Sequence, residues 1–291
     1  MTESAAEALV DAHLHLWDPQ RIRMSWLGGM PALDRAFLVS DLQEDLGPLA
    51  GRLEAAVLVE PAVDAESLDD ELEWFASQLS ESGLIRAAVA GWQPRAGTAD
   101  VLRRLDALSD LPGVVGVRHV LHPPEITAAS VLEHDHVQAV RLAGERGFLV
   151  ELCVRPDQLQ AATDLIDLAP GTRFVLDHLG RPRTGEDLDP RWVDSLAALA
   201  DRESLVTKMS ALIECAQDSD ADPEGFEPFV NTALDLFGAD RVLWGSNWPV
   251  CFTQTSLSDW IRGSDRLLAK RSGRERTAIL GGNARRIYGI S

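Results

Sequence analysis

Eight short runs rich in β-branched and aliphatic residues recur along the chain, and longer amphipathic stretches separate them. The runs are Leu9–His15, Leu53–Glu60, Ile85–Trp92, Gly113–Val120, Phe148–Val154, Arg173–His178, Leu205–Ser210 and Arg241–Ser246. Each has the length and composition of a buried strand. Helical patterning fills Leu68–Glu81, Thr98–Leu108, Asp135–Arg146, Asp157–Leu168, Pro190–Arg202, Pro223–Phe237 and Ser256–Lys270, and a final stretch, Arg274–Ile287, follows the last strand. Strict alternation implies parallel strands joined by right-handed crossovers. Eight such units in 291 residues predict an α/β protein with one (β/α)8 TIM barrel, a single domain over 1–291. A doubly wound open sheet is the alternative, but no Gly-rich phosphate fingerprint follows the first strand. The connection Asp18 to Gly51 is longer than the rest and holds a loop, then a short helix near Ser40–Leu49.

The barrel narrows where chemistry is to be sought, because such barrels work at the C-terminal ends of their strands. Strand one delivers His13 and His15, which alternate onto one face together with Asp11, with Val10, Ala12 and Leu14 on the other. Two imidazoles this close can grip a divalent cation or orient a water; the plainer alternative is a hydrogen-bonded core pair. His134 and His136 repeat the spacing in a polar stretch that opens a helix, and are expected on the solvated surface. The other strand ends contribute Glu60, Trp92, Arg118 with His119, Glu151, Asp177 with His178 and then Arg181, Lys208 with Ser210, and Ser246-Asn247-Trp248. Charged groups are seldom buried without partners, so a polar group at every strand end points to a shared site.

A net charge of −19 argues against nucleic-acid or anionic-membrane partners, which require basic surface, and leaves a small-molecule substrate. A homo-oligomer is left open. The three cysteines are an odd number without metal-type spacing, as expected of reduced, buried thiols. Residues 1–8 lack the basic and apolar regions of a secretory signal and no run reaches membrane-spanning length, so the expected compartment is the cytoplasm.

Three motifs, Asp11-Ala12-His13-Leu14-His15-Leu16-Trp17-Asp18, Leu176-Asp177-His178-Leu179-Gly180-Arg181-Pro182 and Trp244-Gly245-Ser246-Asn247-Trp248-Pro249-Val250, resemble the lactonase branch of the amidohydrolase superfamily, which opens sugar-acid and dicarboxylate lactones. Gly116-Val117-Arg118-His119 and Lys208-Met209-Ser210 fit the same branch. The resemblance implies a hydrolase that opens a small lactone. It also implies a catalytic group of His13, His15, His178 and Asn247, and a single weak site, zinc first, on His13, His15 and His178, or no metal at all. Glu151 lies on a strand where many superfamily members place another histidine. Asn247 falls where the family has an aspartate that ligates metal and serves as general base. A neutral carboxamide cannot take a proton from water. Either another group, His178 or Glu151 first, activates the water; or the barrel performs different chemistry, such as decarboxylation or another carbon–carbon cleavage, or only binds its ligand; or the asparagine stands in place of a natural aspartate.

Substrate contacts are expected from Glu60, Trp92, Arg118, His119, Glu151, Arg181, Lys208 and Trp248. For Arg118 the alternative is a salt bridge to Glu151 or Glu60, and for Lys208 an ion pair inside the barrel. Trp17, Trp92 and Trp248 are flat apolar walls or ordinary packing.

Overall fold

The computed structural model describes residues 7–184, 187–215 and 223–291. Strands β1 (Leu9–Leu14), β2 (Leu53–Val59), β3 (Ile85–Gly91), β4 (Val114–Val120), β5 (Leu149–Cys153), β6 (Arg173–Leu176), β7 (Leu205–Met209) and β8 (Val242–Trp244) form one sheet in chain order. Every adjacent pair is parallel. The ring closes just past β8: Asn247 N donates to His13 O and His15 N to Trp248 O, each at 2.8 Å. The expected barrel is thus present, and each predicted strand is found with its ends trimmed. Just past the C-terminal strand ends, His15, Glu60, Trp92, His178, Ser210 and Ser246 line or support the mouth, with Glu60 N still donating to Val89 O at 2.8 Å.

The helices surround the sheet: α1 (Val39–Leu46), α2 (Leu68–Glu81), α3 (Thr98–Ser109), α4 (Ala128–Val131), α5 (His134–Glu145), α6 (Leu159–Leu168), α7 (Pro190–Ala200), α8 (Glu227–Phe237), α9 (Leu257–Leu267), α10 (Gly273–Thr277) and α11 (Asn283–Tyr288). The expected last helix is two, separated by a π-helical turn at Ala278–Gly282. Asn283 anchors α11 by donating to Ala239 O at 2.7 Å and Val242 O at 2.8 Å. No helix among the described residues is long and apolar enough to cross a membrane.

The apolar core has two parts. A large one lies between sheet and helices; a smaller one includes Val10, Ala12, Val57, Val89, Leu149, Val175 and Leu243, with Ala284, Tyr288 and Ile290 from the C-terminal segment packed on it. Leu14 belongs to the large cluster and Val10 and Ala12 to the small one, so the expected alternation along β1 breaks. The β1–β2 register is irregular between Asp11 and Leu14. Asp11 turns to the β8 seam, where its Oδ1 accepts from His13 N and Ser246 N, both at 2.9 Å.

The second histidine pair needs a correction. His134 and Asp135 are exposed as expected, but His136 is buried, its Nδ1 2.9 Å from Val131 O. On a helix, residues two apart face different ways, so the surface expectation fails for one of the two.

Candidate active site

The strand ends build two layers, a sealed ionic cluster and a cavity above it. Arg118 at the end of β4 ties the cluster together. Its Nε donates to Glu60 Oε1 and its Nη2 to Glu60 O, both at 2.6 Å, and its Nη1 to Asp177 Oδ2 at 3.0 Å. Nη1 also lies 3.1 Å from His13 Nε2. A guanidinium and an ammonium only donate, so a neutral His13 can accept from one of two cations, from Arg118 at Nε2 or from Lys208 at its other ring nitrogen, Nδ1. That nitrogen lies 3.4 Å from Asp177 Oδ1. Lys208 Nζ, from β7, lies 2.6 Å from Glu151 Oε2, 3.1 Å from Asp177 Oδ1 and 3.0 Å from His13 Nδ1. The Tyr288 hydroxyl donates to Glu151 Oε1 at 2.5 Å.

Charge balance sets the protonation of this cluster. Burial raises the Asp177 carboxyl, but Lys208, His13 and Arg118 outweigh it and hold the group well below the usual range. Burial, then Lys208, keeps His13 neutral. Glu151 is pushed up to about 7 by burial against the pull of Lys208. Asp177 therefore carries the anionic charge that both cations share.

Above the cluster lies a cavity of about 640 Å³, whose wall includes His15, Trp17, Trp26, Trp92, Glu60, Arg118, His119, His122, His178, Arg181, Glu214 and Asn247. Of the residues expected to touch substrate, Glu60, Trp92, Arg118, His119 and Arg181 line it, as do the candidate catalytic residues His15, His178 and Asn247. Four other candidate site residues lie outside that wall. Lys208, Glu151 and His13 are fully buried in the ionic cluster and do not line the cavity. Trp248 is also fully buried, packing edge-on against Phe37. Arg118 lines the cavity but its donors are engaged by Glu60 and Asp177, so the salt-bridge alternative describes it; Glu60, not Glu151, is the partner.

Left-handed backbone aims several of these groups. His178, Leu179 and Arg181 have φ of 57°, 52° and 56°, and Gly180 between them 72°. Such conformations cost non-glycine residues on the order of 1 kcal/mol or more each and collect at functional sites. The turn carries both His178 and Arg181 to the cavity. Ser210 Oγ lies 2.8 Å from His178 Nδ1, which leaves Nε2 available. His15 Nδ1 donates to Val59 O at 2.8 Å, and the Asn247 side chain is a second partner of the ring. Burial is the first cause holding both rings neutral, His15 at about 3 and His178 well below the usual range. His119 and His122 are lowered to about 4, again by burial first.

One cavity residue escaped the sequence. Glu214, on the turn after β7, lines the cavity and accepts from Asn247 Nδ2 at 2.8 Å. Burial pushes its carboxyl up to about 7 against the bond from Asn247. Arg181 has no ion pair or side-chain hydrogen bond among the described residues. Glu214 stands in no recognisable motif spacing, whereas Arg181 belongs to the motif after strand six and is one of the expected substrate contacts.

Among the described residues, one cluster could present ligand atoms to a metal: His13, Asp177 and His178, whose donor atoms lie within 4.8 Å of one another. His15 is outside it, its Nδ1 turned to Val59. The donor set does not fit a bare divalent ion, because two fixed cations already use it. Lys208 faces His13 Nδ1 and Asp177 Oδ1, and Arg118 faces His13 Nε2 and Asp177 Oδ2. An added dication would stand against both at close range in a low-dielectric interior.

The model of the amidohydrolase family matches residues 10–290. The chain belongs to that family. It is similar to an L-fucono-1,5-lactonase of Burkholderia multivorans, with 29% identity over 97% of this chain and 96% of the relative. An L-fucono-1,5-lactonase of Burkholderia ambifaria is 27% identical over 97% and 95%. A crystal structure of a Burkholderia multivorans amidohydrolase with bound zinc superposes with a TM-score of 0.84 at 28% identity, covering 98% of this chain and all of that one.

Proposed function

We propose that this amidohydrolase opens small lactones by attack of water on the ring carbonyl at the barrel mouth. The observation that carries the reading is the set of groups on one cavity wall: neutral His15 and His178, the carboxamide of Asn247, the carboxylate of Glu214 and the guanidinium of Arg181, which has no ion pair among the described residues. Lactone opening needs an oriented water, a base, a cation or donor for the developing oxyanion, and a proton for the departing alkoxide. Neutral imidazoles bind hydroxyls and water without charge, and Arg181 faces the carboxylate that ring opening creates.

Polyhydroxylated sugar-acid lactones are the favoured class. Two relatives are named for one such substrate, and His119, His122, His15 and His178 offer uncharged ring nitrogens to sugar hydroxyls beside the indoles of Trp26 and Trp92. A second reading, lactones that already carry a carboxylate, is favoured by Arg181 alone. The protein is assigned to the cytoplasm, with no nucleic-acid or membrane partner. Acid release from a panel of lactones varied in hydroxyl and carboxylate content tests the assignment: turnover of the hydroxylated members is expected, and an inert panel would remove it.

A further inference from the structure

Asn247 and Glu214 form a pair that the fold has positioned with care. Asn247 sits at φ 57° just past β8, with its backbone N pinned to His13 O at 2.8 Å. Asparagine tolerates that conformation better than most residues. Its Nδ2 donates to Glu214 Oε1 at 2.8 Å. With the carboxylate ionised, this orientation of the amide is the one that makes a hydrogen bond, since a carboxylate only accepts. Glu214 is itself fixed by the turn after β7, where Ala211 has φ 53° and Cys215 N returns to Ala211 O at 3.2 Å. Glu214 thus reaches the cavity wall that holds His15, His178 and Arg181. The other carboxylates of the site are committed: Asp177 and Glu151 to cations below the cavity, and Glu60 to Arg118 and Ala62 N.

We infer that Glu214 is the general base of this site, a carboxylate supplied from the β7 turn that does the work Asn247 cannot, with Asn247 as the positioning residue that holds it. The inference rests on the lactonase reading. Water loses a proton to Glu214 as its oxygen bonds to the ring carbonyl carbon. The tetrahedral intermediate then collapses and the bond between that carbon and the ring oxygen breaks. Glu214 returns its proton to the departing alkoxide. One water is consumed, one hydroxy acid is formed, and the carboxylate is restored.

The test compares wild type, Glu214→Gln and Glu214→Ala on lactones that the wild type opens. Both variants are expected to lose about 10²–10⁴-fold in kcat with KM little changed, the usual span for a general base. Added formate is expected to restore part of the Glu214→Ala rate, since a small carboxylate can enter the space vacated. Asn247→Ala should shift the midpoint of the rising pH limb upward, because it removes the donor that favours the carboxylate. Circular dichroism checks that each variant is folded. Folded Glu214 variants within threefold of wild type, or a Glu214→Ala loss that formate leaves untouched, overturn the inference while the lactonase reading stands. A wild type that opens no lactone overturns the reading, and this inference with it.

Discussion

Lys208 Nζ stands 3.1 Å from Asp177 Oδ1 and 3.0 Å from His13 Nδ1, so an internal ammonium holds the corner where those two residues would turn toward a divalent ion. The candidate metal cluster is electrostatically complete without one. Chelator treatment is therefore expected to leave the hydrolytic rate within twofold, and elemental analysis of untreated protein to give well under one equivalent of zinc. A rate that falls with chelation and returns with zinc would show that Lys208 yields its place.

The same cluster makes a stability prediction. Lys208→Ala leaves Asp177 and Glu151 facing each other in a sealed interior, and breaking a buried pair in this way costs about 3–5 kcal/mol. Tyr288→Phe removes only the hydroxyl bonded to Glu151, at about 1–3 kcal/mol. Urea unfolding followed by tryptophan fluorescence measures both, and the lysine variant should have the lower midpoint. Equal midpoints would mean that water relaxes the cluster once the ammonium is gone.

Arg181 should act on substrate and little on folding. It lines the cavity without an ion pair among the described residues. Arg181→Ala is expected to lower kcat/KM by about 10²–10³, the scale of losing a donor to a developing oxyanion. If the substrate itself bears a carboxylate, KM should carry most of the loss; if not, kcat should. Steady-state kinetics on both substrate types separates the two.

Glu214 also gives the expected pH dependence. Its carboxyl is pushed up to about 7 by burial, while Asn247 and the Arg181 cation pull it down, and the thiols of Cys215 and Cys251 lie beside it. Only the deprotonated form can accept a proton, so kcat/KM should rise with pH and reach half its plateau near 7. His15 and His178 remain neutral throughout that range and add no break. Glu151 has a similar value but lies beneath the cavity. A rising limb that persists in folded Glu214→Gln would assign it elsewhere.

Much of this architecture is legible in the chain. β-Branched runs between amphipathic stretches bury themselves as parallel strands covered by helices, eight units fit a closed ring, and α2 appears with the bounds that its periodicity implies, Leu68–Glu81. The convergence of strand-end polar groups was legible for the same reason. What pattern could not supply was depth. Lys208, Glu151 and His13 have the same residue types and strand-end locations as cavity residues, yet their partners seal them below it. His136 carries no mark of burial in a polar stretch. Glu214 lies in a turn, where no period governs direction, and only the fold brings it to Asn247. The asparagine signalled that a base was missing; its replacement required coordinates.

Hydrolysis in oxygen-18-labelled water, followed by mass spectrometry of the product, tests the central claim most directly. The account predicts one labelled oxygen in the new carboxylate of a ring-opened hydroxy acid, formed by wild type and lost in folded Glu214→Gln. A product that has lost carbon dioxide, or an unlabelled lactone returned intact by wild type, would contradict it.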